Sequence, residues 1–428
     1  MASAELYDPS TGTFTRTGDM VTPRQGHSAT LLPDGRVLIA GGWGDNSGNV
    51  FERGAELYDP SMETFTATGD PGGTIPGGGL SSAVLLANGK VFLVGGRSNA
   101  QLYDAASGVF SATGAYVGRS PVFFTATLLA DGRALITGAD IGPDFGPYSG
   151  PAELYDPAAD MFSPTGAFGL YISGEDGLTI DAIYTASLLT NGKVLFVGTD
   201  SNWAFPADAV YDPALGTFSS LIHAPGPHAS SAATQLPDGT VLITGDQLAG
   251  GNGDVVAELY TPATGTFAFT GSMSAGRHSH TATLLTDGTV LVAGGYRFWP
   301  VETASAEIYH PSVLIPAPIL YSVSGDTQGQ GAILHASSHQ LASPDNPAVA
   351  GEALEIYLTG LADRSVIPPQ VAIGGQMAEI LFFGKAPGFA GLNQVNVRVP
   401  SRLAPGPAVS VRLNYLGRPS SAVTIGLR

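Results

Sequence analysis

The sequence predicts an all-β protein in which a β-propeller is followed by a smaller β-sandwich, and three observations lead to this prediction. First, variants of the phrase Ala-Glu-Leu-Tyr-Asp-Pro recur roughly every 50 residues up to Pro311. Second, each repeat holds two apolar runs joined by Asp-Gly or Asn-Gly, the turn of a two-residue β-hairpin. Third, the repeat stops after Pro311, and short alternating apolar segments follow, separated by Gly and Pro.

Each repeat is interpreted as four strands, a to d, in chain order. The hairpin supplies strands a and b, because Asp-Gly and Asn-Gly provide the positive φ angles of a type I′ turn. The tyrosine phrase supplies strand c, and a stretch such as 13–17 supplies strand d after the turn at 8–12. Four strands repeated six times indicate a propeller. The hairpin turns lie at Gly35, Gly89, Gly132, Gly192, Gly239 and Gly288, and the repeated tyrosines are Tyr7, Tyr58, Tyr103, Tyr155, Tyr211, Tyr260 and Tyr309.

The two ends of the repeat region predict how the ring closes. The chain begins with a c–d pair and ends with an a–b–c unit, so we expect the N-terminal strands to complete the last blade and remove its open edge. This gives six blades and one surplus strand c, either 4–9 or 306–311. A seventh, incomplete blade is the alternative. A third interpretation is that the surplus strand pairs with another copy of the chain, so that the protein assembles as a homo-oligomer.

The repeats resemble the kelch family over about residues 4–311. The resemblance rests on the Gly-Gly doublets at 41–42, 95–96 and 294–295, the tyrosine of strand c and an aromatic residue on strand d. Three repeats depart from the doublet, with Ala139, Thr199 and Asp246 in its second position. The resemblance implies a kelch-type propeller over residues 1–314. The aromatic residues of strand d are Phe14, Phe65, Phe110, Phe162, Phe218 and Phe267.

The last part of the chain, 315–428, follows a short Pro-bearing linker and is predicted to be a separate β-sandwich. Its apolar alternations have no helical period. The stretch 384–400 resembles the Ig-like C-terminal domain of large secreted acidobacterial proteins. That resemblance implies an Ig-like fold and an exported protein.

Composition restricts the partners. The net charge of −18, from 36 acidic and 18 basic residues, argues against nucleic acid and against an anionic membrane surface. There is no cysteine, which excludes disulfides and thiolate metal sites. No apolar run is long enough for a transmembrane helix, and the N-terminus does not read as a signal peptide. We expect an extracellular protein whose signal peptide is absent from this chain.

The residues that differ most between repeats follow strand b or precede strand a, and both places fall on one face of a propeller, here called the loop face. Loops on a rigid scaffold commonly carry binding residues, so we predict the ligand site there. Trp43 and Tyr296 are expected to meet in neighbouring blades as an aromatic platform. The predicted ligand-binding residues after strand b are Trp43, Arg97, Asp140, Asp200, Gln247 and Tyr296.

The motif Arg-x-x-His occurs twice on this face, as Arg24 with His27 and as Arg277 with His280. The copies belong to the first and last repeats, which touch when the ring closes. One interpretation is a pocket for an anion or a carboxylate. The other, which we favour, is that these residues belong to the kelch consensus and hydrogen-bond neighbouring blades.

Two metals need consideration. Asp45, Asn46, Ser47 and Asn49 have the oxygen ligands of a Ca²⁺ loop but lack a distal bidentate Glu, and a plain turn is the alternative. A kelch propeller followed by an Ig-like domain also resembles galactose-oxidase-like copper enzymes, in which a Cys–Tyr crosslink carries the radical. Because this chain has no cysteine, we expect no copper radical site and, apart from a Ca²⁺ ion, no cofactor.

The function expected from these observations is a secreted, non-enzymatic binding or assembly protein. Its propeller loops would recognise a glycan or an extracellular protein. The alternative is a carbohydrate-active enzyme, a lyase or hydrolase, that uses acidic residues on the loop face. Such a mechanism depends on the separation of two carboxylates, which sequence does not provide.

Overall fold

The computed structural model describes residues 2–44, 54–69, 82–95, 100–117, 122–139, 151–167, 185–198, 208–221, 228, 230–248, 252–298, 301–362 and 365–428. Throughout these ranges the regular structure is β-strand, which confirms the predicted all-β class. The described chain includes no helix with the length and apolar character needed to cross a membrane.

The strands are numbered from the N-terminus. They are β1 (Glu5–Asp8), β2 (Thr13–Arg16), β3 (Ser28–Leu31), β4 (Val37–Ala40), β5 (Ala55–Asp59), β6 (Thr64–Thr68), β7 (Ser82–Leu85), β8 (Lys90–Val94), β9 (Gln101–Asp104), β10 (Val109–Ala112), β11 (Val122–Leu128), β12 (Ala134–Ala139), β13 (Pro151–Asp156), β14 (Met161–Ala167), β15 (Thr185–Leu188), β16 (Val194–Val197), β17 (Ala209–Asp212), β18 (Thr217–Ser220), β19 (Ala232–Gln235), β20 (Val241–Thr244), β21 (Gln247–Leu248), β22 (Asn252–Gly253), β23 (Ala257–Thr261), β24 (Thr266–Phe269), β25 (Thr281–Leu284), β26 (Val290–Ala293), β27 (Tyr296–Phe298), β28 (Val301–Glu302), β29 (Ala306–Tyr309), β30 (Ile319–Leu320), β31 (Ile333–His335), β32 (Ala353–Thr359), β33 (Gln370–Ile373), β34 (Gln376–Met377), β35 (Glu379–Lys385), β36 (Asn393–Arg398), β37 (Gly406–Tyr415), β38 (Arg418–Pro419) and β39 (Val423–Leu427).

Five four-stranded antiparallel sheets follow one another, each in the predicted order a-b-c-d. Blade 1 is β3-β4-β5-β6, blade 2 is β7-β8-β9-β10, blade 3 is β11-β12-β13-β14, blade 4 is β15-β16-β17-β18 and blade 5 is β19-β20-β23-β24. Blade 6 has three strands, β25-β26-β29. A small sheet, β21-β22-β27-β28, joins the b–c loops of blades 5 and 6. This arrangement is of the β-propeller type.

Repeated side chains hold the blades together. Within a blade, the strand-c tyrosine packs on the strand-d phenylalanine, as in Tyr58 with Phe65, whose ring centroids are 4.7 Å apart. Between blades, a strand-d threonine hydrogen-bonds the next tyrosine, as in Thr68 Oγ1 with Tyr103 OH at 2.8 Å. Five buried apolar clusters join blades 1–2, 2–3, 3–4, 4–5 and 5–6. Each blade is therefore stabilised mainly by its neighbours.

The ends of the repeat region differ from the prediction. β2 pairs with β1, and β29 pairs with β26, as expected for c–d and b–c neighbours. Among the described strands, however, neither β1 nor β2 pairs with blade 6, so the predicted completion of the last blade is wrong within a single chain. Two nearly identical c strands are present, and each keeps its neighbour in sequence, because a short connection costs little loop-closure entropy.

The C-terminal strands form two five-stranded sheets. One is β30-β32-β36-β35, with β31 added to β32; the other is β34-β33-β37-β38, with β39 added to β37. Their inward residues share one apolar core that includes Leu354 and Ile356 from one sheet and Val371 and Leu413 from the other. Two sheets that enclose one core form a β-sandwich.

Candidate functional site

The C-terminal sheets pack on the propeller face that carries the a–b turns. Gln370 Nε2 donates a hydrogen bond to the carbonyl oxygen of Leu85 at 3.1 Å. The backbone N–H of Val366 donates to the carbonyl oxygen of Thr190 at 2.9 Å. Both acceptors adjoin Asn-Gly turns. The loop face, where the sequence predicts the ligand site, is therefore the opposite face.

Several predicted site residues lie outside the described residues. They are Arg97, Asp140 and Asp200, together with the candidate Ca²⁺ ligands Asp45, Asn46, Ser47 and Asn49. Gln247 is described only by its backbone, as the first residue of β21. These assignments stay predictions.

Both arginines of the repeated motif are held within their own blades. Arg24 Nη2 donates to Glu56 Oε1 at 2.9 Å, and both side chains are buried. Arg277 Nη2 donates to Glu307 Oε1 at 2.7 Å, and its side chain is fully buried. In each case Nη1 donates to two backbone carbonyl groups of the same blade. The guanidinium groups therefore tie strand c to the end of strand b, and their hydrogen bonds run within blades rather than between neighbours.

The histidines of the motif have a different character. His280 is buried and shares a 2.8 Å hydrogen bond between Nε2 and Thr244 Oγ1, which joins blade 6 to blade 5. Burial, with the nearby positive charge of Arg277, lowers the pKa of His280 to about 4. Burial likewise lowers the pKa of His27, with Arg24 contributing. Nδ1 of each ring is buried and has no hydrogen-bond partner within the described part of the chain. Both imidazoles are therefore neutral at pH 7.

A second histidine, His278, was not singled out from the sequence. Its ring stacks on Tyr296 with centroids 5.6 Å apart, and the two residues exchange backbone hydrogen bonds of 2.9 and 3.0 Å. Trp43 exchanges the equivalent backbone bonds with Gln25 in blade 1, at 2.8 and 3.0 Å. The feature of the sequence that could have drawn attention to His278 is its position two residues before His280. The platform of Trp43 with Tyr296 stays a prediction.

The Gly-Gly doublets make these backbone contacts fit. A Cβ on Gly295 would lie 2.5 Å from the carbonyl oxygen of His278, and one on Gly42 would lie 2.5 Å from that of Gln25. Both glycines also have positive φ, 87° and 92°. A side chain at either glycine would clash with the backbone segment that leads into strand a. The doublet therefore fixes where that segment lies on the loop face, and with it the position of the candidate site.

In blade 5 a buried histidine takes the place of the motif arginine. His228 Nδ1 lies 3.1 Å from Asp208 Oδ1, and its Nε2 lies 3.4 Å from Glu258 Oε2. Burial lowers the pKa of His228, but the hydrogen bonds and charges of Asp208 and Glu258 outweigh it and raise the pKa to about 9. This residue joins blades 4 and 5 as a charged group. The repeat spacing places His228 at the position of Arg24 and Arg277, but it does not show the contact with Asp208, which comes from another repeat.

Imidazole rings suit copper, so we tested whether the residues present fit the copper centre of the enzymes that the domain layout resembles. His27 and His280 each offer a buried ring nitrogen, as described above. Across the described ranges, however, no three His, Cys, Asp or Glu side chains converge as a metal site. The chain also lacks cysteine, so a Cys–Tyr crosslink cannot form. The described residues do not fit a crosslinked copper-radical centre, and we derive no reaction step through one.

A cleft of about 1110 Å³ lies between the turn face and the C-terminal sheets. Leu128, Leu188, Ile380 and Phe382 supply apolar walls. The charged lining residues include Asp131, which pairs with Arg133 at 2.6 Å, and Glu379, which pairs with Arg398 at 2.8 Å. It is a junction between the two parts of the chain.

Comparison with known proteins gives a partial match. No protein-family model matches the chain. Two proteins from Gibberella zeae, both named galactose oxidase, are 26% identical over 248 residues, which is 57% of this chain and 31% of each relative. The aligned region thus spans about a third of the relatives' length. A fungal alcohol oxidase of the AA5 family, determined in complex with copper, superposes over 95% of this chain and 97% of its own, with 14% identity and a TM-score of 0.49.

The comparisons correct two expectations. The expectation of a non-enzymatic binding or assembly protein is contradicted, because the sequence match is to an oxidase. The expectation of no cofactor and no copper radical site is contradicted too, because galactose oxidase is the copper enzyme type that the domain layout resembles. The absence of cysteine was given too much weight: it excludes one crosslink, not every oxidase built on this scaffold.

Proposed function

We propose that the chain is a carbohydrate-active enzyme that oxidises a hydroxyl group, with its site on the loop face around His280. The observation that carries the proposal is the match to galactose oxidase over 57% of the chain. The alternative reaction types, lyase and hydrolase, depend on acidic residues such as Asp140, Asp181 and Asp200, which lie outside the described residues. The substrate class proposed is a sugar or a glycan.

The chemistry around His280 supports the proposal. A neutral imidazole can accept a hydrogen bond from a substrate hydroxyl or coordinate a metal ion, whereas an imidazolium can do neither. Thr244 hydrogen-bonds the ring at Nε2, and Nδ1 is buried with no hydrogen-bond partner among the described residues. Tyr296, which is partly exposed and stacks on the buried ring of His278, adds an aromatic ring near it. Aromatic rings of this kind pack well on the apolar face of a sugar.

The experiment is an oxidase assay on the purified chain with galactose and a panel of primary alcohols, with and without added Cu²⁺. We expect oxidation of the substrate hydroxyl with dissolved O₂ as the electron acceptor, measured as release of peroxide. His280→Gln should abolish turnover, while the matched control His310→Gln, at an exposed histidine of the same blade, should not. Absence of oxidation across the copper-loaded panel, or full activity in His280→Gln, would refute the proposal.

The finer architecture is part of the same proposal. We assign residues 1–314 to a kelch-type propeller and 315–428 to an Ig-like β-sandwich. The repeated tyrosine–phenylalanine pairs and the single core of the C-terminal sheets support these assignments. We also propose an extracellular location, which suits an enzyme that acts on glycans. Expression with an added export signal, followed by the oxidase assay on the medium, tests whether the chain folds and works outside the cell.

A further inference from the structure

One sheet of the C-terminal β-sandwich carries aromatic and polar side chains on its outer side. In the sheet β30-β32-β36-β35, Leu354, Ile356 and Leu358 of β32 point into the core shared by the two sheets. Successive side chains alternate between the two sides of a strand, so Glu355 and Tyr357 lie on the side away from that core. This outer side is called the sandwich face.

The strand register brings side chains from neighbouring strands into two rows across the sandwich face. Directly opposite residues of an antiparallel pair share a side of the sheet. Tyr321 joins the first row because its N–H donates to the carbonyl oxygen of Tyr357 at 3.4 Å. Neighbouring strands lie about 4.8 Å apart, so a row of four positions spans roughly 14 Å. The first row holds Tyr321, Tyr357, Gln394 and Gly384, and the second holds Leu334, Glu355, Asn396 and Phe382.

Aromatic rings stand at both edges of the sandwich face. Tyr321 is 38% exposed at one edge, and Phe382 is 42% exposed at the other. Gly384, two residues after Phe382 on the same side of β35, supports the second ring. A Cβ on this glycine would lie 3.6 Å from Cζ of Phe382, so the ring lies alongside the first row. Both edges of the face therefore offer an aromatic surface to a ligand.

The middle of the sandwich face consists of hydrogen-bonding groups that hold one another in place. Gln394 Nε2 donates to Asn396 Oδ1 at 2.8 Å. Glu355 Oε2 accepts from Tyr357 OH at 3.3 Å and lies 3.0 Å from His339 Nδ1. Asn396 and Tyr357 are partly exposed, and an amide NH₂ group and a phenol oxygen can each form a further hydrogen bond. Donors and acceptors fixed side by side suit the neighbouring hydroxyl groups of a sugar.

The charges of the sandwich face favour a neutral ligand. Glu355 is paired with His339, and Glu379, at the next position across the strands, is paired with Arg398 at 2.8 Å. An anion would approach carboxylates on a chain of net charge −18. A purely apolar partner would cover the amide pair without replacing its hydrogen bonds to water, which costs free energy. An added strand has no open edge at β32 or β36, since each pairs on both sides.

We propose that the sandwich face binds a neutral polysaccharide. Sugar rings stack on Tyr321 and Phe382 at the two edges, and Asn396 and Tyr357 hydrogen-bond hydroxyl groups between them. The site is separate from the loop face, because the C-terminal unit packs on the opposite face of the propeller. It would tether the chain to an extended glycan whether or not the chain is an oxidase, so it does not rest on the proposed function.

The test is affinity electrophoresis of the full chain in gels that contain galactomannan, xyloglucan or dextran, with polygalacturonate as the anionic comparison. At least one neutral polysaccharide should retard the chain, and polygalacturonate should not. Tyr321→Ala and Phe382→Ala should each weaken binding about fivefold, because each removes one stacked ring. Phe382→Tyr keeps the ring and should bind like the natural chain. Phe269→Ala, at an exposed phenylalanine on strand d of blade 5, is the matched control and should also leave binding unchanged.

Melting temperatures close to that of the natural chain verify that the variants fold. No retardation by any of the three neutral polysaccharides overturns the proposal. So does retardation that persists in the double variant Tyr321→Ala with Phe382→Ala and disappears in Tyr296→Ala, which would place glycan binding on the loop face. A dimeric mass of the natural chain that Phe382→Ala converts to a monomer would identify a second copy as the occupant and overturn the proposal as well.

Discussion

Protonation of His228 should control propeller stability between about pH 6.5 and 9. Its pKa is about 9 in the fold, against 6.5 for an ordinary histidine. Because the folded pKa is the higher one, the stabilisation is complete below pH 6.5 and is lost as the pH rises through 9. The difference corresponds to about 3 kcal/mol at most. When the imidazole loses its proton, Asp208 and Glu258 remain as two buried carboxylates without a counter-charge.

The perturbation is His228→Gln, which keeps a polar side chain of similar reach and removes the titration. We expect its free energy of unfolding in urea to lie about 3 kcal/mol below the natural chain at pH 6. The gap should close towards pH 9.5. Nuclear magnetic resonance of labelled histidine reports the same pKa directly. The exposed His310→Gln is the control and should follow the natural chain at every pH. A gap between His228→Gln and the natural chain that stays constant from pH 6 to 9.5 would refute the reasoning.

Two further substitutions test how the candidate site is positioned. Arg24→Ala leaves Glu56 buried without its partner and should cost about 3–5 kcal/mol in urea unfolding, whereas the double variant with Glu56→Ala should recover part of that loss. Gly42→Ala places a Cβ 2.5 Å from the Gln25 carbonyl and should destabilise well beyond Gly12→Ala, whose Cβ meets nothing within 4 Å; both have positive φ, so circular-dichroism melting curves that coincide would contradict the close-approach argument.

The fold was largely predictable because its signals are local. An Asp-Gly turn and the strands on either side of it lie within about 14 residues, so each hairpin is specified by its own sequence. The pairing of the chain ends was not predictable in the same way. Strands 4–9 and 306–311 have nearly the same sequence, so strand preference alone does not show which of them pairs with the hairpin of blade 6. The structure pairs that hairpin with β29, its neighbour along the chain.

The location of a ligand site on the loop face stays a prediction, and the contacts of the residues there were only partly predictable. The loop face follows from strand direction, and the neutral histidines His27 and His280 were on it. The charge of His228 was not predictable, because it depends on Asp208, which is twenty residues away in sequence and lies in another blade. Arg24 and Arg277 were predicted as ligand-binding residues because a sequence motif shows only that a positive charge is present. It does not show that each arginine already forms an ion pair, with Glu56 and Glu307 respectively.

The C-terminal sheets have a mechanical consequence. Blades that are coupled only to their neighbours behave as a linear array, in which one weak junction is enough to let the two halves part. The C-terminal unit makes hydrogen bonds to Leu85 in blade 2, Thr190 in blade 4 and Thr286 in blade 6. These three contacts, on alternate blades, link blades that do not touch one another. A force that pulls on the propeller is thereby shared among junctions between distant blades. Ring closure has the same effect in a closed propeller.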